Sequence, residues 1–297
     1  MVHKPGPSRM FMERAPWRLF YAKDKEVLVD VDGGITIDGH TATPFPCEIT
    51  HAAICDDGLV ATWVDHELRL ARMALLSLDE KLLDGPSKSE LRANRDTSMV
   101  AGADWCHIVD AEPLGLVATG DKIIFGLWSR GIYCIDSEAN EIWRTTLFEV
   151  KEKSPPRSDE VAAISISGQN AVVWSRNGAY RTISIEDGSV LDEKSIGIDC
   201  DLEHVFNHEN NFLISSSDGW AWEMQGDEIT LARKFRGTIQ DAAYDGNDWR
   251  VISWREDSML RGKSQERVEL GVQIIKDDDL WQVLDNQGKR TPHMGAN

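Results

Sequence analysis

One unit of sequence recurs along the chain, and it is clearest between Ile123 and Trp143 (IIFGLWSRGIYCIDSEANEIW). The unit contains an apolar strand, a tight turn at 129–131, a strand in which apolar and polar residues alternate, a polar turn and a third strand. A hairpin needs residues that tolerate positive φ between two runs of strand-forming residues, and this unit has both. It therefore predicts antiparallel strands joined by short turns.

Seven segments share this pattern, with an average spacing of about 42 residues that is typical of the blades of a β-propeller. They are Trp17–Gly34, Ile49–His66, Glu112–Gly131, Val161–Gly178, Leu202–Gly219, Ile239–Asp257 and Val272–Gly288. A lone four-stranded sheet cannot bury its faces, whereas radial stacking buries them between neighbours. Frequent β-branched residues and hairpin turns disfavour helical repeats of the same length. The sequence thus predicts an all-β chain, with residues 1–297 forming a single seven-bladed β-propeller domain of four-stranded antiparallel blades.

The hairpin pattern resembles the WD-repeat and quinoprotein-like β-propeller superfamily. Residues 131–144 (GIYCIDSEANEIWR) are similar to the strand–Asp–turn–strand–Trp signature of quinoprotein-type repeats, and residues 178–193 are a looser copy. No unit contains the Gly-His and Trp-Asp pairs of true WD repeats. The resemblance implies the architecture and no particular member of the superfamily.

The two ends of the chain suggest how the propeller closes. The last unit ends after its third strand, near residues 289–293, and the segment Ser8–Arg14 precedes the first blade. This N-terminal segment is a candidate for the missing outer strand of the last blade, where it would remove an open sheet edge.

Two insertions interrupt the repeat. Asp84–Trp105 is expected to separate blades two and three, and within it Ser87 and Glu90 have the spacing of a capping box, which predicts a short helix. Lys151–Glu160 is expected to separate blades three and four, and its two consecutive prolines exclude a helix or a central strand.

Composition limits the class of partner and the compartment. The formal net charge of −18 argues against a general binder of nucleic acid or anionic membranes, because both surfaces would repel the protein. The five cysteines are odd in number and form no C-x-x-C motif, which indicates reduced thiols and predicts a cytoplasmic protein. The chain contains neither a signal-peptide pattern nor an apolar run of membrane-spanning length.

The usual motifs of metal, phosphate and catalytic sites are missing. His204 and His208 have an H-x₃-H spacing, but on the predicted strand they lie roughly 13 Å apart and cannot share one ion. Gly262-Lys263-Ser264 is similar to the end of a Walker loop, yet Asp257 stands where that motif needs glycine. The sequence therefore predicts no metal and no cofactor, and it identifies no catalytic residue.

Eleven tryptophans are many for this length. Four of them, Trp63, Trp128, Trp174 and Trp254, are predicted to end the second strand of their units. Recurrence at one structural position predicts that they pack between blades. The alternative interpretation is an aromatic ring around one face of the propeller, as in the hot spots of protein interfaces.

A basic rim is the candidate functional site. In propellers of the superfamily that the chain resembles, the turns between second and third strands share a face with the connections between blades. This geometry places Arg130, Arg176 and Arg255 on the same face as both insertions, which predicts a local basic rim over blades two to four, beside Trp105. Arginine pairs well with carboxylates and phosphates, which predicts an anionic ligand. The candidate partner-binding residues are Arg92, Arg95, Trp105, Arg130, Arg157 and Arg176.

Two functions remain open from the sequence. The first hypothesis is a non-enzymatic interaction scaffold that binds a protein partner, such as an acidic peptide or a subunit of a larger complex, through the insertion-bearing face. The alternative is a propeller enzyme, a lyase or hydrolase, that uses the central channel for a small polar or carbohydrate substrate. The alternative would require inward-facing polar residues at the starts of the first strands.

Overall fold

The computed structural model describes residues 14–56, 58–67, 70–93, 99–148, 160–198, 201–278 and 280–294. They form seven small antiparallel sheets, in each of which the strands are hydrogen-bonded in chain order. The structure confirms the predicted seven-bladed β-propeller.

The blades are numbered from the N-terminus, and each begins with its innermost strand. Blade one consists of β1 (Pro16–Ala22), β2 (Lys25–Asp30), β3 (Ile35–Ile37) and β4 (His40–Ala42). Blade two consists of β5 (His51–Cys55), β6 (Gly58–Asp65), β7 (Leu70–Ser77) and β8 (Ala103–Val109), with helix α1 (Lys88–Ala93) between β7 and β8. Blade three consists of β9 (Pro113–Thr119), β10 (Lys122–Leu127), β11 (Gly131–Ile135) and β12 (Glu141–Thr145). Blade four consists of β13 (Val161–Ser167), β14 (Asn170–Ser175), β15 (Ala179–Ser184) and β16 (Val190–Ser195).

The remaining blades follow the same order. Blade five consists of β17 (Leu202–His208), β18 (Asn211–Ser216), β19 (Trp220–Gln225) and β20 (Glu228–Lys234). Blade six consists of β21 (Asp241–Tyr244), β22 (Trp249–Ser253), β23 (Glu256–Met259) and β24 (Ser264–Glu266). Blade seven has three strands within the described residues, β25 (Gly271–Asp277), β26 (Leu280–Asp285) and β27 (Arg290–Pro292).

Strand alternation explains how each sheet packs on both sides. In β14, Ala171 and Val173 pack in the interface with blade three, whereas Val172 and Trp174 pack in the interface with blade five. Successive side chains of a strand point to opposite faces, so an apolar strand in the middle of a propeller supports two interfaces at once. The described residues contain seven such apolar clusters, one between each pair of neighbouring blades.

The innermost strands close the ring. Each contacts the innermost strand of the next blade, from β1 against β5 round to β25 against β1, and together they surround the central channel. The proposed closure by an N-terminal outer strand stays a prediction, because residues 1–13 lie outside the described residues.

The first insertion lies within blade two, and the prediction that it separates blades two and three is wrong. Trp105 belongs to β8, which pairs with β7 as the outer strand of that blade. The inserted chain, residues 78–102, therefore connects the third and fourth strands of one sheet. β8 has no fully buried residue, and its apolar residues are only partly buried, so its pattern is too weak for its blade to be assigned from sequence.

The capping box predicted in this insertion is present. The Ser87 backbone N–H and hydroxyl donate to Glu90 Oε2 at 2.8 and 2.7 Å, and α1 begins at the next residue. The insertion runs beside the outer strand of blade one: Thr43 N–H donates to Asp84 Oδ1 at 2.8 Å, and Gly85 N–H donates to the Thr43 carbonyl at 2.8 Å. These contacts hold α1 at the outer edge of blades one and two.

Four cysteines, Cys47, Cys55, Cys106 and Cys134, are free thiols, and Cys200 lies outside the described residues. Burial raises the pKa of Cys47, Cys55 and Cys134 to about 11, so these thiols are protonated and unreactive at neutral pH. In the part of the chain that the structure describes, no helix has the length and apolar character needed to cross a membrane.

Candidate interaction face and channel mouth

One end of the propeller carries the features that a binding surface needs, and we name it the connection face. It consists of the turns between the second and third strands of each blade together with the connections from each outer strand to the next blade. Because the strands of a blade alternate in direction, these turns and connections lie at the same end of the strands. Binding residues are often found on loops of this kind, held by a rigid scaffold.

Two tryptophans project from equivalent turns of this face. Trp128 directly follows β10 in blade three and is 48% exposed, and Trp254 directly follows β22 in blade six and is 53% exposed. Trp63 and Trp174, in contrast, lie inside their strands and are fully buried between blades. The prediction that all four pack between blades is therefore confirmed for Trp63 and Trp174 and wrong for the other two. The reason is an offset in position, because a residue beyond the strand no longer points into a blade interface.

Each exposed tryptophan has an arginine beside it. Arg130 lies in the turn that Trp128 opens, and Arg255 directly follows Trp254; both arginines are exposed. Neither side chain makes an ion pair with any described residue. Several other cations of the connection face have carboxylate partners, in the pairs Arg14–Asp32, Arg92–Glu67, Arg176–Asp201, Lys234–Asp218 and Arg236–Glu266. Lys289, in the turn of blade seven, donates to Gln287 Oε1 instead.

Local backbone geometry shapes the turn of blade three. Ser129 adopts a positive φ of 54°, and Gly131 has a φ of 146°. A Cβ atom at Gly131 would lie 2.5 Å from the Thr145 carbonyl oxygen, so only glycine fits between the turn and the outer strand. This close packing fixes the position from which Trp128 and Arg130 project.

The described residues of the predicted rim differ in their location and in their partners. Arg92 in α1 pairs with Glu67, in the turn between β6 and β7, so this end of the insertion does reach the connection face. Arg176 donates two hydrogen bonds to Asp201, at 2.7 and 2.6 Å. These bonds raise the pKa of Arg176 and lower the pKa of Asp201, so both groups stay charged. Arg95 and Arg157 lie outside the described residues.

Trp105 lies at the opposite end of the propeller. It occupies the start of β8, and its indole Nε1 donates to the Ser137 carbonyl, in the turn between β11 and β12, at 2.8 Å. A cavity of about 570 Å³ adjoins it, whose charged lining residues are Asp56, Asp79, Asp104 and Glu138. Trp105 therefore belongs to an acidic groove and cannot line a basic rim on the connection face.

The channel mouth opens at the centre of the connection face. Arg18 on β1 reaches towards β21, where its Nη1 lies 3.4 Å from Asp241 Oδ1. Burial raises the pKa of Asp241, although the guanidinium of Arg18 acts against that shift. This ion pair joins blades one and six, which are separated by blade seven, so it spans the channel. The described residues contain no group of three or more histidine, cysteine or carboxylate side chains placed to hold a metal ion.

Comparisons with known proteins agree with the geometry. No protein-family model and no curated protein sequence matches the chain. The β-propeller domain of Cps50 (Swd1) from Myceliophteria thermophila is similar in structure, with a TM-score of 0.64 and 13% identity over 94% of this chain and 95% of that chain. The WD40 propeller domain of Doa1 has a TM-score of 0.65 and 9% identity, over 93% and 91% of the two chains. BamB from Moraxella catarrhalis has a TM-score of 0.56 and 12% identity, over 91% of each chain.

These likenesses establish the fold. The chain is a seven-bladed β-propeller, as the hairpin pattern predicted, and its fold is similar to those of WD40 propeller domains and of BamB. Function has to be argued from the residues of the face and the channel, because one fold supports many functions.

Proposed function

We propose that this protein is a non-enzymatic interaction scaffold whose connection face binds an acidic segment of a protein partner. The observation that carries the proposal is the repeated pairing of an exposed tryptophan with an arginine that makes no ion pair to a described residue. These pairs are Trp128 and Arg130 in blade three and Trp254 and Arg255 in blade six. Tryptophan and arginine are the residue types most enriched at interface hot spots.

Charge complementarity selects the partner. The chain has 50 acidic and 32 basic residues, and several basic side chains of the connection face are neutralised by carboxylates. Arg130 and Arg255 make no ion pair with a described residue, so each can bind a carboxylate of another molecule without first breaking an internal ion pair. Repulsion from the rest of the acidic chain is screened beyond about 8 Å at physiological salt, so the local charge of the face decides what binds.

The proposed site keeps part of the sequence-based rim and adds to it. Arg130 remains, and Trp128, Trp254 and Arg255 join it. Arg92 and Arg176 lie on the same face but already have carboxylate partners. The contributions of Arg95 and Arg157 and the cytoplasmic location stay predictions from the sequence.

The test uses the intact protein and a synthetic peptide rich in glutamate with interspersed leucine and phenylalanine, labelled for fluorescence anisotropy. We expect saturable binding by the wild type and at least tenfold weaker binding by the double variants W128A/R130E and W254A/R255E. The matched control is I142A/R144E, which changes an exposed isoleucine and arginine on the outer strand of blade three. The control should bind as the wild type does, and thermal unfolding should show that all variants are folded.

The same variants can be compared in affinity purification from the native host, where a partner retained by the control should be lost from both double variants. If both double variants retain the peptide and the partner, the connection face is not the binding surface.

A further inference from the structure

The innermost strands carry one equivalent position in each blade. In the register of each blade, this position pairs with the second strand next to the turn of the connection face, as Arg18 pairs with Val29 and His204 with Ser215. The seven residues are Arg18, His51, Gly115, Ala163, His204, Asp241 and Gln273. Five of the seven are polar, although packing of the innermost strands around the channel would not by itself require polar side chains.

Three of these polar side chains have a structural task. Gln273 Oε1 accepts from Leu19 N–H at 2.7 Å, and its Nε2 donates to the Leu19 carbonyl at 3.0 Å. Asp241 Oδ2 accepts from Ile274 N–H at 2.7 Å, and His51 Nε2 lies 3.2 Å from the Pro113 carbonyl. Each satisfies a backbone group of the next blade that would otherwise lack a partner at the inner edge of its sheet.

Arg18 and His204 have no such task. The 3.4 Å contact with Asp241 engages one nitrogen of the Arg18 guanidinium, and its remaining N–H groups have no partner among the described residues. The Arg18 side chain is 38% exposed. His204 is exposed at the channel, and its ring makes no hydrogen bond to the described part of the chain. Arg18, with most of its N–H groups unpaired, and His204 therefore face the same channel mouth as available donors.

The state of His204 suits a hydrogen-bond donor beside an arginine. Although the ring reaches the channel, the protein around it partly desolvates it and lowers its pKa; Glu203 opposes that shift, and Arg18 adds to it. The ring is therefore neutral at pH 7 and does not repel the guanidinium. Asp241 and Glu203 are the carboxylates close to this pair, and Asp241 is already held by Arg18 and the Ile274 backbone.

We propose that Arg18 and His204 form a receptor for a carboxylate group at the mouth of the channel. A guanidinium can bind both oxygens of a carboxylate in a planar, bidentate arrangement, and a neutral imidazole N–H adds a third donor. The carboxylate belongs either to a small free acid or to an acidic side chain of a bound partner, and the chemistry of recognition is the same. This receptor is distinct from the tryptophan–arginine pairs of the connection face.

The experiment has two arms, both at constant ionic strength. In the first, citrate and succinate are titrated into the intact protein by calorimetry; in the second, the acidic peptide is titrated. The variants are R18Q and H204Q, and R144Q is the control because it removes a guanidinium from the outer strand of blade three. R18K serves as a further variant that keeps the positive charge and loses the planar, bidentate guanidinium. The unfolding midpoint of each variant verifies that it is folded.

The receptor is supported if citrate or succinate binds saturably and R18Q weakens binding at least tenfold, H204Q severalfold and R144Q not at all. It is also supported, with the partner as the source, if only the peptide binds and R18Q and H204Q weaken it. It is overturned if neither variant changes either titration. Peptide binding that depends on Trp128 and Trp254 but not on Arg18 would sustain the scaffold and reject the receptor.

Discussion

The interface between blades one and two differs from the two interfaces of blade seven. The first contains sixteen buried apolar residues, with Trp63 at its centre, where it packs edge-on against Phe45 with ring centroids 5.3 Å apart. The clusters between blades six and seven and between blades seven and one contain three buried apolar residues each. Blade seven therefore cannot depend on apolar burial to the same extent.

Hydrogen bonds and ion pairs connect blade seven to blade six. Arg267 donates to Asp257 Oδ2 at 2.6 Å and to Thr291 Oγ1, which links blades six and seven. Arg250 lies 3.2 Å from His293 Nδ1 and donates to the Met294 carbonyl at 2.9 Å. The interface between blades one and two is therefore held mainly by apolar packing, and the interfaces of blade seven depend more on hydrogen bonds and ion pairs. The two regions should respond differently to cavities and to pH.

The largest effect is expected from a cavity in the apolar interface. W63A should lower the free energy of unfolding by about 4 kcal/mol, since it removes a fully buried ring. Urea unfolding followed by tryptophan fluorescence and circular dichroism measures this loss. W63F should cost much less, because it keeps most of the ring and the indole N–H has no partner. W128A, on an exposed turn, should change stability by less than about 0.5 kcal/mol, and an equal loss in W63A and W128A would contradict the burial difference.

A smaller loss is expected at the closure. R267A should destabilise the protein by about 3 kcal/mol, because it leaves Asp257, 4% exposed, without its partner. The double variant R267M/D257L should recover most of this loss, since it removes both charges. R176A breaks an ion pair whose side chains are 36% and 55% exposed and should cost less than about 1 kcal/mol. Equal losses for R267A and R176A would show that burial of the pair is irrelevant.

The smallest effect is a dependence on pH. Burial lowers the pKa of His293, so the folded state favours the neutral ring while the unfolded chain takes up a proton near pH 6.5. Stability is therefore complete above pH 6.5 and falls as the pH drops towards the lowered folded value, by at most about 1.4 kcal/mol per pH unit for this group. Urea midpoints at pH 7.5 and 5.5 should differ less in H293Q than in the wild type. His51 and His204, also with lowered pKa, remain in both proteins, and identical pH dependences would exclude His293 as a contributor.

The blade count was predictable because it depends on local signals. The alternation in β14 and the turn at 129–131 are properties of neighbouring residues, and the capping box at Ser87 and Glu90 likewise spans one turn of chain. The place of the first insertion was not predictable, because only the pairing of β8 with β7 assigns this strand to blade two, and its own sequence pattern does not.

The candidate site was predicted only in part for the same reason. The resemblance to other propellers predicts that Arg130 and Arg176 lie on the connection face, and both follow second strands at that face. Whether an arginine is paired depends on distant residues, as with Arg176 and Asp201, and the sequence shows no such contact. The exposure of Trp128 and Trp254 depends on their position one residue beyond the end of a strand, and strand ends read from sequence are uncertain by at least that much.

The sequence by itself determined the repeating hairpin, the closed circle of seven blades and an acidic chain with many tryptophans, because periodicity and turn chemistry act between near neighbours. The tertiary structure alone decided which tryptophans are buried, which arginines lack a carboxylate and which side chains meet across the channel. Those properties depend on residues that are distant in the chain and become neighbours only when the ring closes.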